Sequence, residues 1–140
     1  MERVSAQRDV DRGVLVLRVG LGILFMAVHG GPKLLGGPEL WARVGMAMGH
    51  LGISFAPAFW GFLAACSEFF GGLCLVLGVG VRPAAAFLAM TMMVATTMHL
   101  AQGDGLQVAS HAMEDGVVFV SLLFLGAGRY TLARWLRPDR

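Results

Sequence analysis

Eight ionisable side chains stand inside long apolar runs or at their edges: Arg18, His29, Lys33, Glu68, His99, His111, Glu114 and Asp115. A charge well inside a bilayer-spanning helix costs about 2.5–3.5 kcal/mol on insertion scales, so each of these groups asks for a partner or a task. Histidine titrates near neutrality, and a carboxyl group in low dielectric shifts toward the same range. Such groups held together can therefore take up, pass and release protons. Glu68, His29, His99 and Glu114 are the candidate catalytic, proton-handling groups, and Arg18, Lys33, His111 and Asp115 the candidate groups for holding a ligand. His111, Glu114 and Asp115 follow the i, i+3, i+4 spacing of one helical face. Each group also has a plainer role open to it: interfacial His and Lys at a helix end, a structural Arg18–Glu68 ion pair, or acids at a helix amino terminus.

The elements that must position these groups follow from composition. Of 140 residues, 56% are hydrophobic and 14% charged, against about 25% charged in ordinary soluble domains. The chain reads as an all-α integral membrane protein, one domain over residues 1–140. Its net charge of +2 comes with no dense basic run, so nucleic acid is not an expected partner, whereas membrane lipid is. Four spans are predicted, at about residues 13–29, 57–81, 83–101 and 111–132. The first is near the lower length limit for crossing a bilayer. Gly30, Gly31 and Pro32 are expected to end it. Between the first two spans, residues 38–49 read as a short interfacial helix with Pro38 at its first position and Trp41, Val44 and Met48 on one face. The architecture predicted is thus a four-helix transmembrane bundle with a short interfacial helix.

Depth along the helices then groups the polar residues. At about 1.5 Å per residue, Arg18 lies roughly 9 Å into the first span and Glu68 near the middle of the second, so an ion pair between them is predicted. His29, Lys33, His99, His111, Glu114 and Asp115 collect toward the opposite side as a polar chamber above that pair. Lys and Arg are concentrated on the side of the termini (Arg3, Arg8, Arg12, Arg82, Arg129, Arg134, Arg137, Arg140), with only Lys33 and Arg43 facing the other way. This predicts cytoplasmic termini in an inner or plasma membrane.

Other chemistries find less support. Cys66 and Cys74 lie eight residues apart in one apolar run, about 12 Å along a helix and too far apart for a disulfide. His29, His99, His111 and Glu114 could ligate a metal in chemical terms. They come from three helices without diagnostic spacing, however, and no resident metal is expected. Met90, Met92, Met93 and Met98 read as gap-filling side chains.

The chain resembles the DoxX family of small four-helix membrane proteins over about residues 18–130. The resemblance is carried by Arg18 with Gly20, Gly22 and Phe25; by His29-Gly30, Lys33-Leu34 and Gly36-Gly37-Pro38; by Glu68 with Gly71-Gly72 and Leu75; by Gly78, Arg82, Ala85 and His99; and by Gly126 to Tyr130. The family's usual ending is replaced here by Ala127, Thr131 and Ala133. The resemblance implies a four-helix bundle and a redox association, since family members are linked with a thiosulfate:quinone oxidoreductase and with membrane complexes that handle oxidative stress. The reading is a quinone-linked redox subunit, with a quinone as cofactor or a small molecule as ligand, working with a partner subunit or as a homo-oligomer. A small-solute transporter and a non-catalytic assembly subunit are the alternatives.

Overall fold

The computed structural model describes residues 2–136, with side chains from residue 4 onward. Arg137 and Arg140, and the side chain of Arg3, lie outside it. The described residues are helical, with no strand among them. The first helix, α1 (Glu2–Leu24), passes into a π-helical turn (Phe25–Gly30) and then α2 (Gly31–Leu35). After it come α3 (Gly37–Gly45) and a 3-10 helix (Met46–Leu51), then α4 (Pro57–Leu77), α5 (Val81–Gln102), α6 (Leu106–Leu125) and the short α7 (Leu132–Trp135). Four stretches are long and apolar enough to cross a membrane: Val4–Leu35, Pro57–Leu77, Val81–Gln102 and Leu106–Leu125.

The bounds differ from the predicted 13–29, 57–81, 83–101 and 111–132 in two instructive places. The Gly-Gly-Pro run does not end the first helix. Pro32 falls in the first turn of α2, where its missing N–H leaves no bond unmade, and the wider π turn before it absorbs the break. The fourth span starts five residues earlier and stops at Leu125, because the turn at Gly126–Gly128 leaves the helix with positive φ at both glycines. His111, Glu114 and Asp115 therefore lie inside the span. The helix expected at 38–49 is present as α3 and the 3-10 turn that continues it.

α4 is the centre of the packing. It meets the first helix, α3 and α5, while α6 leans chiefly on α5. Small residues set these distances, as they do where helices pack in lipid. A Cβ on Gly22 would stand 2.6 Å from the carbonyl oxygen of Gly72, and one on Gly72 would stand 2.7 Å from that of Gly22. A Cβ on Gly45 would overlap the Pro57 carbonyl, and one on Gly61 the Trp41 carbonyl. Gly45→Ala is thus expected to lower the thermal unfolding temperature in detergent, with an overpacking cost of about 1–3 kcal/mol. An unchanged melting curve would show that α3 is not seated on α4 in this way.

The apolar core runs through Phe25, Leu75, Ala85, Leu88, Met92, Phe119 and Leu122. Its aromatic centre is an edge-to-face pair, Phe25 against Phe119, with ring centroids 4.8 Å apart. Large apolar side chains such as Val16, Phe70 and Phe124 are exposed, as lipid-facing residues are.

Candidate functional site

The predicted ion pair between Arg18 and Glu68 does not form. Arg18 is fully buried and donates from Nη1 to the Leu75 carbonyl at 3.1 Å and from Nη2 to the Tyr130 carbonyl. It closes the carboxy-terminal end of α4, where a cation meets the negative end of the helix dipole, and ties the chain after α6 to the first helix. Leu75 lies seven residues, about 10 Å, from Glu68 along α4. Arg18 thus stands level with the last turn of α4, which ends at Leu77, whereas Glu68 lies near the middle of that helix. Asp11 reinforces the same junction: it is 4% exposed and its Oδ1 accepts the Arg129 N–H at 3.2 Å.

Glu68 pairs instead with Lys33, whose Nζ lies 2.7 Å from Oε1. The Glu68 side chain is 2% exposed and that of Lys33 30%. α2 carries Lys33 back over α4 because the helix continues through Pro32, and the Lys33 carbonyl accepts the Trp41 indole N–H at 2.8 Å. The other carboxylate oxygen, Glu68 Oε2, is buried without a protein partner.

That carboxylate lines a cavity of about 430 Å³ between the four spans and α3, within the usual size range of small-molecule sites. Its walls are mostly apolar, built from residues such as Phe25, Val44, Leu63 and Met98. A few polar groups converge on them: His29 and Lys33 from the first helix, Ser67 and Glu68 from α4, Thr91 and His99 from α5, and His111 from α6. Ser67 and Thr91 are hydrogen-bonded across α4 and α5 at 3.1 Å. His99 Nδ1 lies 2.7 Å from Asp104 Oδ2. With the proton held there, Nε2 of the neutral ring is an acceptor.

Of the eight residues singled out by sequence, His29, Lys33, Glu68, His99 and His111 line the cavity, and Arg18, Glu114 and Asp115 do not. Asp115 lies within electrostatic range of His29, His111 and Glu114, beside the cavity at the seam between the first helix and α6. Glu114, the residue before it on α6, is exposed. Sequence reasoning missed Trp60 in the cavity wall, Asp104 behind His99, and Asp11. Asp104, five residues after His99 and just past a Gly, carried a usable signal as a partner across a helix end. Asp11 carried none, because its partner is a backbone N–H 118 positions away.

Four membrane-crossing helices and a cavity held between them define a small multi-pass membrane protein with an internal site. A sequence model of the DoxX family matches residues 13–100, more than half of the chain, and the protein belongs to that family. The match takes in Arg18, His29, Lys33, Glu68 and His99 and stops before α6. No curated protein and no solved structure matches the chain.

Proposed function

We propose that the protein is a quinone-linked redox subunit whose cavity holds the quinone ring, in an inner membrane with both termini cytoplasmic. The observation that carries this reading is the buried Lys33–Glu68 pair, with one carboxylate oxygen unpartnered, on the wall of an otherwise apolar cavity. A flat ring with two carbonyl oxygens and a hydrocarbon tail matches such walls: apolar surface over most of its area and a few donors at its polar ends. A bound quinone supplies a two-electron, two-proton couple.

The chain's own residues would then do the following. Lys33 Nζ, already oriented by Glu68, would donate a hydrogen bond to a carbonyl oxygen. Glu68 Oε2 would hold or release a proton beside it. His99, braced by Asp104, and His29 and His111 would exchange protons between this pair and the cavity mouth. In this reading a partner subunit supplies or removes the electrons.

Trp60 in the cavity wall gives a direct probe. Titrating the purified protein with a short-chain quinone is expected to quench tryptophan fluorescence saturably, and Glu68→Gln, which frees Lys33 from its orienting partner, is expected to raise the apparent Kd about tenfold, the weight of the charge-assisted hydrogen bond that Lys33 then no longer aims. Linear, unsaturable quenching that is the same in wild type and Glu68→Gln, the behaviour of quinone dissolved in detergent, would overturn the proposal. Solute flux in proteoliposomes without quinone binding would favour transport instead.

A further inference from the structure

The cavity is not closed on all sides. Leu63 on α4 and Phe87 and Met90 on α5 line it, yet they are 39%, 55% and 59% exposed. The apolar wall of the cavity therefore runs without a break onto the outer surface of the bundle. Leu63 shares a helical face with Ser67 on α4, and Phe87 and Met90 share one with Thr91 on α5. Ser67 and Thr91 are hydrogen-bonded to each other at 3.1 Å, so the two faces look at one another and the opening lies along the α4–α5 seam. Across the bundle, the seam between the first helix and α6 is shut at its centre by Phe25 against Phe119.

Depth decides what this opening meets. Leu63 is six residues, about 9 Å, from the Pro57 end of α4, and Phe87 is six residues, about 9 Å, from the opposite end of the bundle at Val81. Both lie well inside a hydrocarbon core of about 30 Å. Nearer the Pro57 end the seam is covered, because α3 and the 3-10 helix pack on α4 and α5 and Gly61 sits directly against the Trp41 carbonyl. The rim has no use for water. The Ser67 and Thr91 hydroxyls are bonded to each other, and Thr91 Oγ1 lies 2.9 Å from the Phe87 carbonyl oxygen, so neither offers a spare donor to the gap. Met90 is unbranched with three rotatable bonds and can turn aside without backbone movement.

We infer that the cavity is loaded sideways from the bilayer, and that the hydrocarbon chain of its ligand lies in the α4–α5 gap over Leu63, Phe87 and Met90. This rests on the reading that the ring sits against Lys33 and Glu68. Glu68 follows Ser67 directly on α4, so a head held there has the gap beside it, and its chain can leave into lipid without crossing a polar layer. The aqueous end of the cavity, with His99 braced by Asp104, is then left for protons. The ligand class is narrowed to a lipid-borne molecule with a small polar head and one long apolar chain. Chain and acyl tails are equally apolar, so the gap sets the route and the chain's position and adds little to affinity.

Full-length protein in lipid nanodiscs, irradiated with a long-chain isoprenoid quinone that carries a diazirine on its chain, tests this. Adducts are expected on Leu63, Phe87 and Met90, at least tenfold reduced by excess unlabelled long-chain quinone, whereas any adduct on Phe70 is expected to be indifferent to competitor. Leu63→Phe/Met90→Phe, which narrows the gap at two exposed positions, is expected to raise the Kd of the long-chain quinone about tenfold more than that of a short-chain quinone, from overpacking against the chain alone. Chain adducts insensitive to competitor, competed adducts confined to other seams, or equal effects of the double substitution on both quinones would overturn the inference. Saturable binding of the short-chain quinone alongside any of these would leave the ring site standing and strike only the sideways route. Absence of saturable binding by either quinone would strike both.

Discussion

Arg18→Ala is expected to destabilise the protein by about 3 kcal/mol or more. The guanidinium makes two hydrogen bonds to buried carbonyls, and bonds from charged donors contribute about 1.5–3 kcal/mol each. Its loss leaves the Leu75 and Tyr130 carbonyls without this donor and opens a void where the largest fully buried side chain stood. Lysine restores the charge but not the fork that reaches both oxygens, so Arg18→Lys should recover only part of the loss. Gly78 gives an independent check. This residue has φ +70°, and a Cβ on it would overlap Arg18 Nη1, so Gly78→Ala should strain the α4 terminus and displace the same guanidinium. Thermal unfolding in detergent reads all three. Wild-type stability for Arg18→Ala would mean that the contact between α4 and the chain after α6 contributes nothing.

The second large effect concerns Lys33 and Glu68, whose roles are not symmetrical. Lys33→Met leaves an almost fully buried carboxylate with both oxygens unpartnered, and breaking a buried pair from one side typically costs about 3–5 kcal/mol. Glu68→Gln leaves an ammonium that is 30% exposed and can turn its head toward water, so its cost in stability is smaller. Lys33→Met combined with Glu68→Leu should regain most of what Lys33→Met loses, because an apolar pair carries no desolvation penalty. It should still abolish ligand binding. The double-mutant cycle separates the two meanings of the pair: stability returns in the double variant, and binding does not. Additive stability losses would show that the two side chains do not interact.

Much of this is legible in the sequence. Composition and the length of the apolar runs place four spans, because long uncharged runs have few other fates. Depth counting brought His29, His99 and His111 to the same side as Lys33. It failed where local chemistry overrode counting. Gly30 and Pro32 look like breakers, yet Gly30 is buried where a Cβ would overlap the backbone of Phe69 and Pro32 sits in a helix's first turn. The helix therefore continues and delivers Lys33 to Glu68. Buried charges are usually paired with charges, so the sequence points Arg18 to a carboxylate, whereas its partners are carbonyl oxygens, which every residue possesses and no sequence pattern marks. The tie from Asp11 to the Arg129 N–H was invisible for the same reason.

The central claim is that a ring-bearing ligand sits among the four spans against Lys33 and Glu68. The most direct test is photolabelling with an azidoquinone followed by peptide mapping. Adducts are predicted on cavity residues of α4 and α5 such as Trp60, Met98 and His99, reduced by excess unlabelled quinone and lost in Lys33→Met/Glu68→Leu. Adducts spread over outward residues such as Phe70 and Phe124, insensitive to competitor and to the double substitution, would contradict it.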